Sequence, residues 1–396
     1  MIDISKAMRT LTRETPALAN ERVELRDAVG RVLAENIVAD SDLPPFDRSQ
    51  MDGYAVVASD TLAAPIDLIV VGESAAGRGW HQRMKRGQAV RIMTGAPVPA
   101  GADAVQRVEL TSGWEGETVR IREPVRKGMS VVKRGAEVKK GRTIFRTGEV
   151  VNENMISAFA SFGYAKLRVA KVPTVAVMST GTEIVPLDKT PGRDQIRNSN
   201  SVMLEVLSRG MGCPTTILPQ VADDLTELKR QIASCRCNVL VITGGVSAGK
   251  YDLTKLALQE LGAEIFFDKV RLKPGKPAVF ARLGKTLVFG LPGNPVSAAV
   301  TFHLFVRKTL LLMQGAKRSD LREGRAVLAA RVKAPDERDA YTPSVLNSDE
   351  DGRLIATPLR SQGSSDFIGF SRADSLIVIK RGTRGEQGDV ADILFL

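Results

Sequence analysis

Three stretches decide the fold of this chain: NVLVITGGVSAGKYD (Asn238–Asp252), AEIFFDKVRLKPGKP (Ala263–Pro277) and TLVFGLPGNPVS (Thr286–Ser297). Each starts as a short apolar run and ends in a polar, glycine-bearing loop. In an open parallel sheet, loops leaving the carboxyl ends of strands meet in one crevice, where ligands bind. Glycine backbone amides, Lys273, Lys276 and the Asp252 carboxylate would line that crevice. Amides and ammonium groups together suit an anion, most simply a phosphate.

Working outward, strand and helix alternate from Lys171 to about Gly315, through TVAVMS, SVMLEVLSRG, TTILPQV, DLTELKRQIAS and DLTKLALQELG. This pattern predicts a doubly wound α/β domain over residues 171–322. Residues 1–45 read as mostly helical, with Ile4, Met8 and Leu11 on one face and Ala28, Val29, Val32 and Leu33 repeating the spacing. Pro44-Pro45 ends that region. Residues 46–146 turn to short β-type runs such as YAVV, IDLIVVG and QAVRI, broken by Gly and Pro. Helical spacing returns in 147–170 through Val151, Met155, Ala158, Phe159 and Phe162, with Gly163 as a cap. The segments 1–45 and 147–170 therefore form one linker domain bracketing an inserted β domain, and 323–396 is a C-terminal, β-barrel-like domain. The fold class expected is multidomain α/β.

Composition narrows the function classes. A chain of 396 residues should hold two to four domains. Its 43% hydrophobic and 26% charged residues are those of an ordinary globular protein. The first residues lack the apolar core of a signal peptide, and no apolar run is expected to reach membrane-spanning length. Three cysteines, Cys213, Cys235 and Cys237, make no even-numbered framework, so a reducing cytoplasm is expected. The two histidines, His81 and His303, argue against a histidine-rich zinc site and a Ser-His-Asp hydrolase. Cys235-x-Cys237 could bind a soft metal but lacks a second pair, and reads better as two small residues near a helix end. Of the net charge of +11, an excess of eight positive charges falls between Arg120 and Arg146. A solvated β surface and steering of an anionic small molecule explain it about equally well. Nucleic acid ranks third, because aromatics are scarce and no recognition motif is present.

GGVSAGK at Gly244–Lys250 nearly satisfies the P-loop pattern, but Tyr251 stands where a hydroxyl would hold Mg2+, and no strand supplies a Walker B acid. Asp252 opens the helix DLTKLALQELG, where a carboxylate is ordinarily a cap. Directly after a glycine-rich loop, it is also placed to hold a divalent cation against phosphate oxygens. Glu183 in STGTE and Asp223 after TTILPQVA leave the same sheet edge. Three acids beside two lysines suit Mg2+-assisted phosphoryl chemistry. KPGKP sets two ammonium groups on a proline-stiffened turn. Asn294 and Ser297 of LPGNPVS can donate hydrogen bonds near the next helix start.

The ordered motifs PPFDRSQMDGYAV (Pro44–Val56), RIMTGAPVPAGADAV (Arg91–Val105), STGTE, GGVSAGKYD, KPGKP and LPGNPVSA resemble those of MoeA-type molybdopterin molybdenumtransferases, relatives of the E domain of gephyrin. QGSSDFIGFSRADSLIVI resembles that family's C-terminal serine-rich motif more loosely. The resemblance covers essentially the whole chain. It implies a homodimer with shared active sites that inserts molybdenum from molybdate into the dithiolene of adenylylated molybdopterin and releases AMP, with Mg2+ as cofactor. Transient contact with an adenylyltransferase or with molybdoenzymes is a further implication; nucleic acid and membrane are not among the partners expected. By matching motif, Asp52, Thr94, Glu183, Asp223 and Asp252 inherit catalytic roles. Gly244, Gly245, Ser247, Gly249, Lys273, Lys276, Pro292, Asn294, Pro295 and Ser297 inherit substrate-binding roles, and Asp252 with Glu183 the metal. Departures are Thr182 and Lys250 at positions that are often acidic in the family, Arg134 and Glu137 as the remains of an arginine-rich segment, and DAYTPSV (Asp339–Val345) without an expected arginine. Two rival readings stay open. The adenylyltransferase of the preceding step would need only residues like 171–315, and a non-catalytic scaffold could use the same α/β domain.

Overall fold

All five residues of VLVIT (Val239–Thr243) are buried, which a strand shows only when its sheet is covered on both faces. In the computed structural model, residues 1–245, 253–359 and 366–396 are described. The chain divides into two units, one of Met1–Glu35, Thr147–Ile156 and Lys166–Leu396, the other of Asn36–Arg146 and Ser157–Ala165.

The first unit holds α1 (Ile4–Glu14) and then, in order, β1 (Val175–Ser179), α2 (Ser199–Gly210), β2 (Thr215–Ile217), α3 (Leu225–Ser234), β3 (Val239–Thr243), α4 (Leu253–Glu260), β4 (Glu264–Lys269), β5 (Pro277–Leu283), β6 (Thr286–Leu291) and the long helix α5 (Pro295–Met313). The strands form one sheet in the order β2-β1-β3-β6-β5-β4. β2, β1, β3 and β6 are parallel, while β5 runs against β6 and β4 against β5. The sheet is therefore mixed, not purely parallel. The departure comes from PAVFARL, a strand hidden in sequence behind the KPGKP loop.

Alternation sorts the side chains of this sheet between two cores. Val175, Val177, Val239, Val241, Phe280, Leu287 and Phe289 face α1, α2 and α5. Ala176, Met178, Leu240, Ile242, Val279 and Val288 face Leu228 and Ile232 of α3 and Ala257 and Leu258 of α4. Phe280 and Phe289 stack at 4.9 Å between ring centroids in the first core.

Two expectations need correction here. Helix is confined to Ile4–Glu14 and a short turn within the first 45 residues. Asn20–Glu24 is instead a strand, paired antiparallel with Lys166–Ala170. Moreover, Ile4, Ala7 and Leu11 of α1 lie in the α/β core and not in a separate linker. The helical spacing was real, but a helix's own periodicity does not name its partner. The second correction concerns α5, whose 19 residues are long and apolar enough to cross a membrane. Its apolar stretch is 78% buried within the protein, as a core helix must be, and Lys308 Nζ bonds Asp320 at 2.8 Å.

Residues of the C-terminal region close a β ring. Asp339–Ser348 pairs with both Leu354–Pro358 and Ser375–Ile379, while Glu323–Leu328 and Val390–Phe395 complete the circuit. Ala326, Leu328, Ala356, Ile377 and Ile393 fill it. Leu272–Lys273, just after β4, adds to this sheet beside Asp339–Ala340.

The second unit is built on a five-stranded sheet in the order Ala104–Arg107, Gly53–Val56, Gln88–Ile92, Ile66–Ser74, Thr118–Ile121. Tyr54 is fully buried there with Val56, Leu68, Val119 and Ile121. The unit begins at Asn36, about ten residues before the boundary read from sequence, because Ile37–Val38 pairs with Thr143–Phe145.

Candidate active site

In the first unit, the loops after β1, β3 and β6 leave one edge of the sheet, since these strands are parallel. β4 is antiparallel to β5, which is antiparallel to β6, so β4 runs with β6 and its loop leaves the same edge. KPGKP leads into Pro277, the first residue of β5, so its Lys276 end stands one strand spacing from β6, about 5 Å.

The start of α2 ties these strand ends together. Asn198 caps the helix by accepting from Ser201 N and donates to Ser179 Oγ at 2.9 Å, at the end of β1. Asn200 donates to Thr243 Oγ1 at 3.0 Å and to the Gly293 carbonyl at 2.7 Å, joining the ends of β3 and β6. Thr243 Oγ1 in turn donates to the Pro292 carbonyl at 3.2 Å. Sequence reading missed both asparagines. The signal was the run Asn-Ser-Asn-Ser before an amphipathic helix, in a segment that returns to the strand ends.

Gly244 and Gly245 follow directly, with φ of +91° and +61°, where a side chain is strained. A Cβ on Gly244 would come within 2.4 Å of the Thr180 carbonyl, and one on Gly245 within 2.8 Å of Thr180 Oγ1. The loop can lie this close only as bare backbone. Around it, three buried oxygens, Thr180 Oγ1, Asn200 Oδ1 and Thr254 Oγ1, find no hydrogen-bond partner among the described residues. A buried polar atom without a partner is costly, and at a functional edge it points to a ligand. Thr180 and Thr254 were also missed in the sequence, where a threonine beside a glycine loop carries no distinguishing pattern.

Glu183 is exposed, and its carboxylate folds back over Gly181. Gly181 is itself held by Val221 O at 3.1 Å and Gln220 Nε2 at 2.8 Å. The bridge between Thr180 and Val221 brings exposed Asp223 to this edge, while Asp224, not Asp223, caps α3 through Glu227 N at 2.8 Å. Lys273 is exposed and Lys276 half-buried. A Cβ on Gly275 between them would lie 2.6 Å from Thr301 Cγ2, so the turn rests on α5. Asn294 takes the cap position of α5, Pro295 its first turn, and Ser297 is buried with its carbonyl accepting from Thr301 Oγ1 at 2.7 Å. Ser247, Gly249 and Asp252 lie outside the described residues, as do Lys250 and the serines of QGSS.

In the second unit, pairing of Gly53 with Ile92 brings Asp52 and Thr94 together. Asp52 Oδ1 accepts from Thr94 N at 2.6 Å and from Thr94 Oγ1 at 2.9 Å. The Thr94 amide first, and then its hydroxyl, holds the Asp52 carboxyl below its ordinary range, so it is ionised near neutrality. Arg134 bonds Asp42 at 2.6 Å, Lys133 bonds Asp47 at 2.7 Å and Arg120 pairs with Asp67 at 3.0 Å. Part of the positive excess over 120–146 is thus neutralised by acids outside that segment. Glu137 pairs with Arg48 at 3.2 Å.

The sequence matches three family descriptions in series: "MoeA N-terminal region (domain I and II)" over residues 2–163, "Probable molybdopterin binding domain" over 176–311, and "MoeA C-terminal region (domain IV)" over 325–396. It is 33% identical over 407 residues to a Bacillus subtilis (strain 168) protein named molybdopterin molybdenumtransferase, covering 100% of this chain and 94% of that one. A Haemophilus influenzae protein of the same name is 31% identical over 395 residues, covering 99% and 96% of the two chains. Among solved structures, the molybdopterin biosynthesis moeA protein of Pyrococcus horikoshii OT3 superimposes with a TM-score of 0.85 at 28% identity, over 100% of both chains.

Proposed function

The chain belongs to the molybdopterin molybdenumtransferase family, and from that membership we propose that it acts late in molybdenum cofactor biosynthesis, as a transferase inserting molybdate into the dithiolene of adenylylated molybdopterin with release of AMP. The observation that carries this reading is the pair of buried hydroxyls, Thr180 Oγ1 and Thr254 Oγ1, that have no hydrogen-bond partner among the described residues and lie beside the bare backbone of Gly244 and Gly245. An anionic substrate laid over that backbone would meet Thr180 and Thr254 as hydroxyl donors, with Lys273 and Lys276 beside it on the same edge. Asn198 and Asn200 position the loops and are not themselves candidates for chemistry.

Among the described residues, no group of three or more His, Cys, Asp and Glu side chains could hold a metal ion. A Mg2+ site ordinarily has one or two carboxylates and is completed by substrate phosphates. Glu183 and Asp252 would hold the ion. When bound, Mg2+ would offset charge on the phosphate oxygens. Glu183, exposed at the edge and seated over Gly181, is oriented by its own loop.

The rival reading, adenylylation in the preceding step, requires only the α/β domain. The matches over 2–163 and 325–396 favour the later step. The deciding experiment incubates the protein with adenylylated molybdopterin, Mg2+ and molybdate and follows AMP. Release that needs molybdate supports the proposal; formation of adenylylated product from ATP and molybdopterin supports the rival.

We further propose a homodimer in which Asp52 and Thr94 of one subunit serve the sheet edge of the other. The polar residues are split between two units, and two-fold symmetry would then create two equal sites. The three free thiols suit a reducing cytoplasm.

A further inference from the structure

At the amino end of β3, opposite the glycine loop, α3 gives way to Cys235-Arg236-Cys237. Residues two apart in extended backbone point the same way, and the two sulfurs lie 3.1 Å apart with one thiol donating to the other. Both side chains are half-buried, so neither is sealed from solvent. Two recesses of about 450 Å³ each open on this link, and Cys235, Arg236 and Cys237 line both. One of them includes Arg236 and Lys285 in its lining and no acid. Arg236 is fixed beside the sulfurs by Nη1, which donates to the Ala233 carbonyl at 2.9 Å and the Cys235 carbonyl at 3.2 Å.

We propose that Cys235 and Cys237 form a redox-active dithiol that exchanges with low-molecular-weight disulfides bearing carboxylates, such as glutathione disulfide. This lies outside the proposed transferase reaction and does not depend on it. A disulfide needs the sulfurs about 2.05 Å apart, an approach of roughly 1 Å from where they stand. The cationic recess supplies a seat for the reagent's carboxylates.

The two thiols are not equivalent. The hydrogen bond from Cys237, with Arg236 nearby, holds the Cys235 thiol below its ordinary value, while the same bond and burial push Cys237 up. Cys235 is therefore the attacking thiolate. Its sulfur bonds to one sulfur of the reagent, the reagent's S–S bond breaks, and the first thiolate leaves and takes a proton from solvent. Cys237 then gives up its proton and attacks Cys235 Sγ, and the second reagent thiol departs. Two electrons pass from the protein thiols to one reagent disulfide, leaving one protein disulfide and two small thiols. Cys213 is excluded, being buried and with its thiol pushed up to about 12 by burial.

The test uses the full chain with glutathione disulfide, acid quenching, alkylation and peptide mapping. Wild type should lose alkylation at Cys235 and Cys237 together while Cys213 stays reduced. Cys237→Ser should accumulate a mixed disulfide on Cys235, and Cys235→Ser should react at least tenfold more slowly. Mapping of the wild type needs no variant and so stands even if a substitution harms folding. Reaction first at Cys213, a mixed disulfide resting on wild-type Cys235 without closure, or full persistence of both thiols under excess reagent would each overturn the proposal.

Discussion

Asn200 is one side-chain amide that joins the ends of two strands, through Thr243 Oγ1 and the Gly293 carbonyl. Its removal should cost about 1 kcal/mol for each hydrogen bond lost, read as a shift in urea midpoint. Asn200→Ala is also expected to lower turnover by more than that loss of stability explains, because the loops after β3 and β6 would no longer be held to each other. Asn200→Asp should be worse than Ala, since it sets a carboxylate against the Gly293 carbonyl. If Asp were the milder change, the bridge would not be what orders this edge. Lys273 and Lys276 differ in a way that ionic strength can separate. Lys273 is exposed, so the loss of molybdate or substrate affinity in Lys273→Met should fade as salt rises. Lys276 is half-buried, and the effect of Lys276→Met should persist further into high salt. Variants that both bind as wild type at every salt concentration would return these lysines to the solvated surface.

At the scale of elements, α5 carries a second measurable consequence. His303 lies within it, and burial first, with Arg307 adding to it, depresses its pKa from 6.5 to about 4. The unfolded chain then binds a proton that the folded chain refuses between these values. Stability contributed by the neutral imidazole is full above about 6.5 and is lost as pH falls towards 4. His303→Gln should flatten the fall in stability across that window by up to about 3 kcal/mol, measured from urea midpoints at neutral and acid pH. Parallel falls in wild type and variant would show that other groups set the acid limb. The strand ends that build the site were legible because apolar runs stop abruptly at glycine or proline, as at Thr243-Gly244 and Leu291-Pro292. What escaped were pairings with distant segments. Asn20–Glu24 is a strand only because Lys166–Ala170 lies beside it. Asn198 and Asn200 meet their partners only because the fold carries α2 back to the strand ends. PAVFARL was masked by the proline that begins it, which a strand tolerates at its first position.

For the whole molecule, the shared-site proposal makes a direct demand on subunit mixtures. Asp52→Ala and Asp252→Ala chains should each be inactive alone. In mixed dimers one site carries both defects and the other carries neither, so up to half the wild-type activity per dimer should return. Verified subunit exchange without recovery would place both residues in a site made by one chain. The two compact units also allow a control: Asp52→Ala removes two hydrogen bonds from Thr94 on an exposed loop of the second unit, so stability should fall by at most about 1 kcal/mol per bond while both units stay folded.

The place of α1 in the core has a consequence for how the protein is made. Its Ile4, Ala7 and Leu11 share one core with Leu304, Phe305 and Leu310 of α5, so this helix docks against a part of the chain that is synthesised long after it. At ordinary translation rates roughly 15 to 60 s separate the two. An isolated helix of 11 residues is marginal in water, so α1 spends that interval as an unpartnered, fluctuating segment. The second unit's Asn36–Arg146 can fold in the meantime, since nearly all of its chain is already made. This helix is thus made well before the core that buries it, and for most of that time it depends on whatever else in the cell covers an apolar helix face.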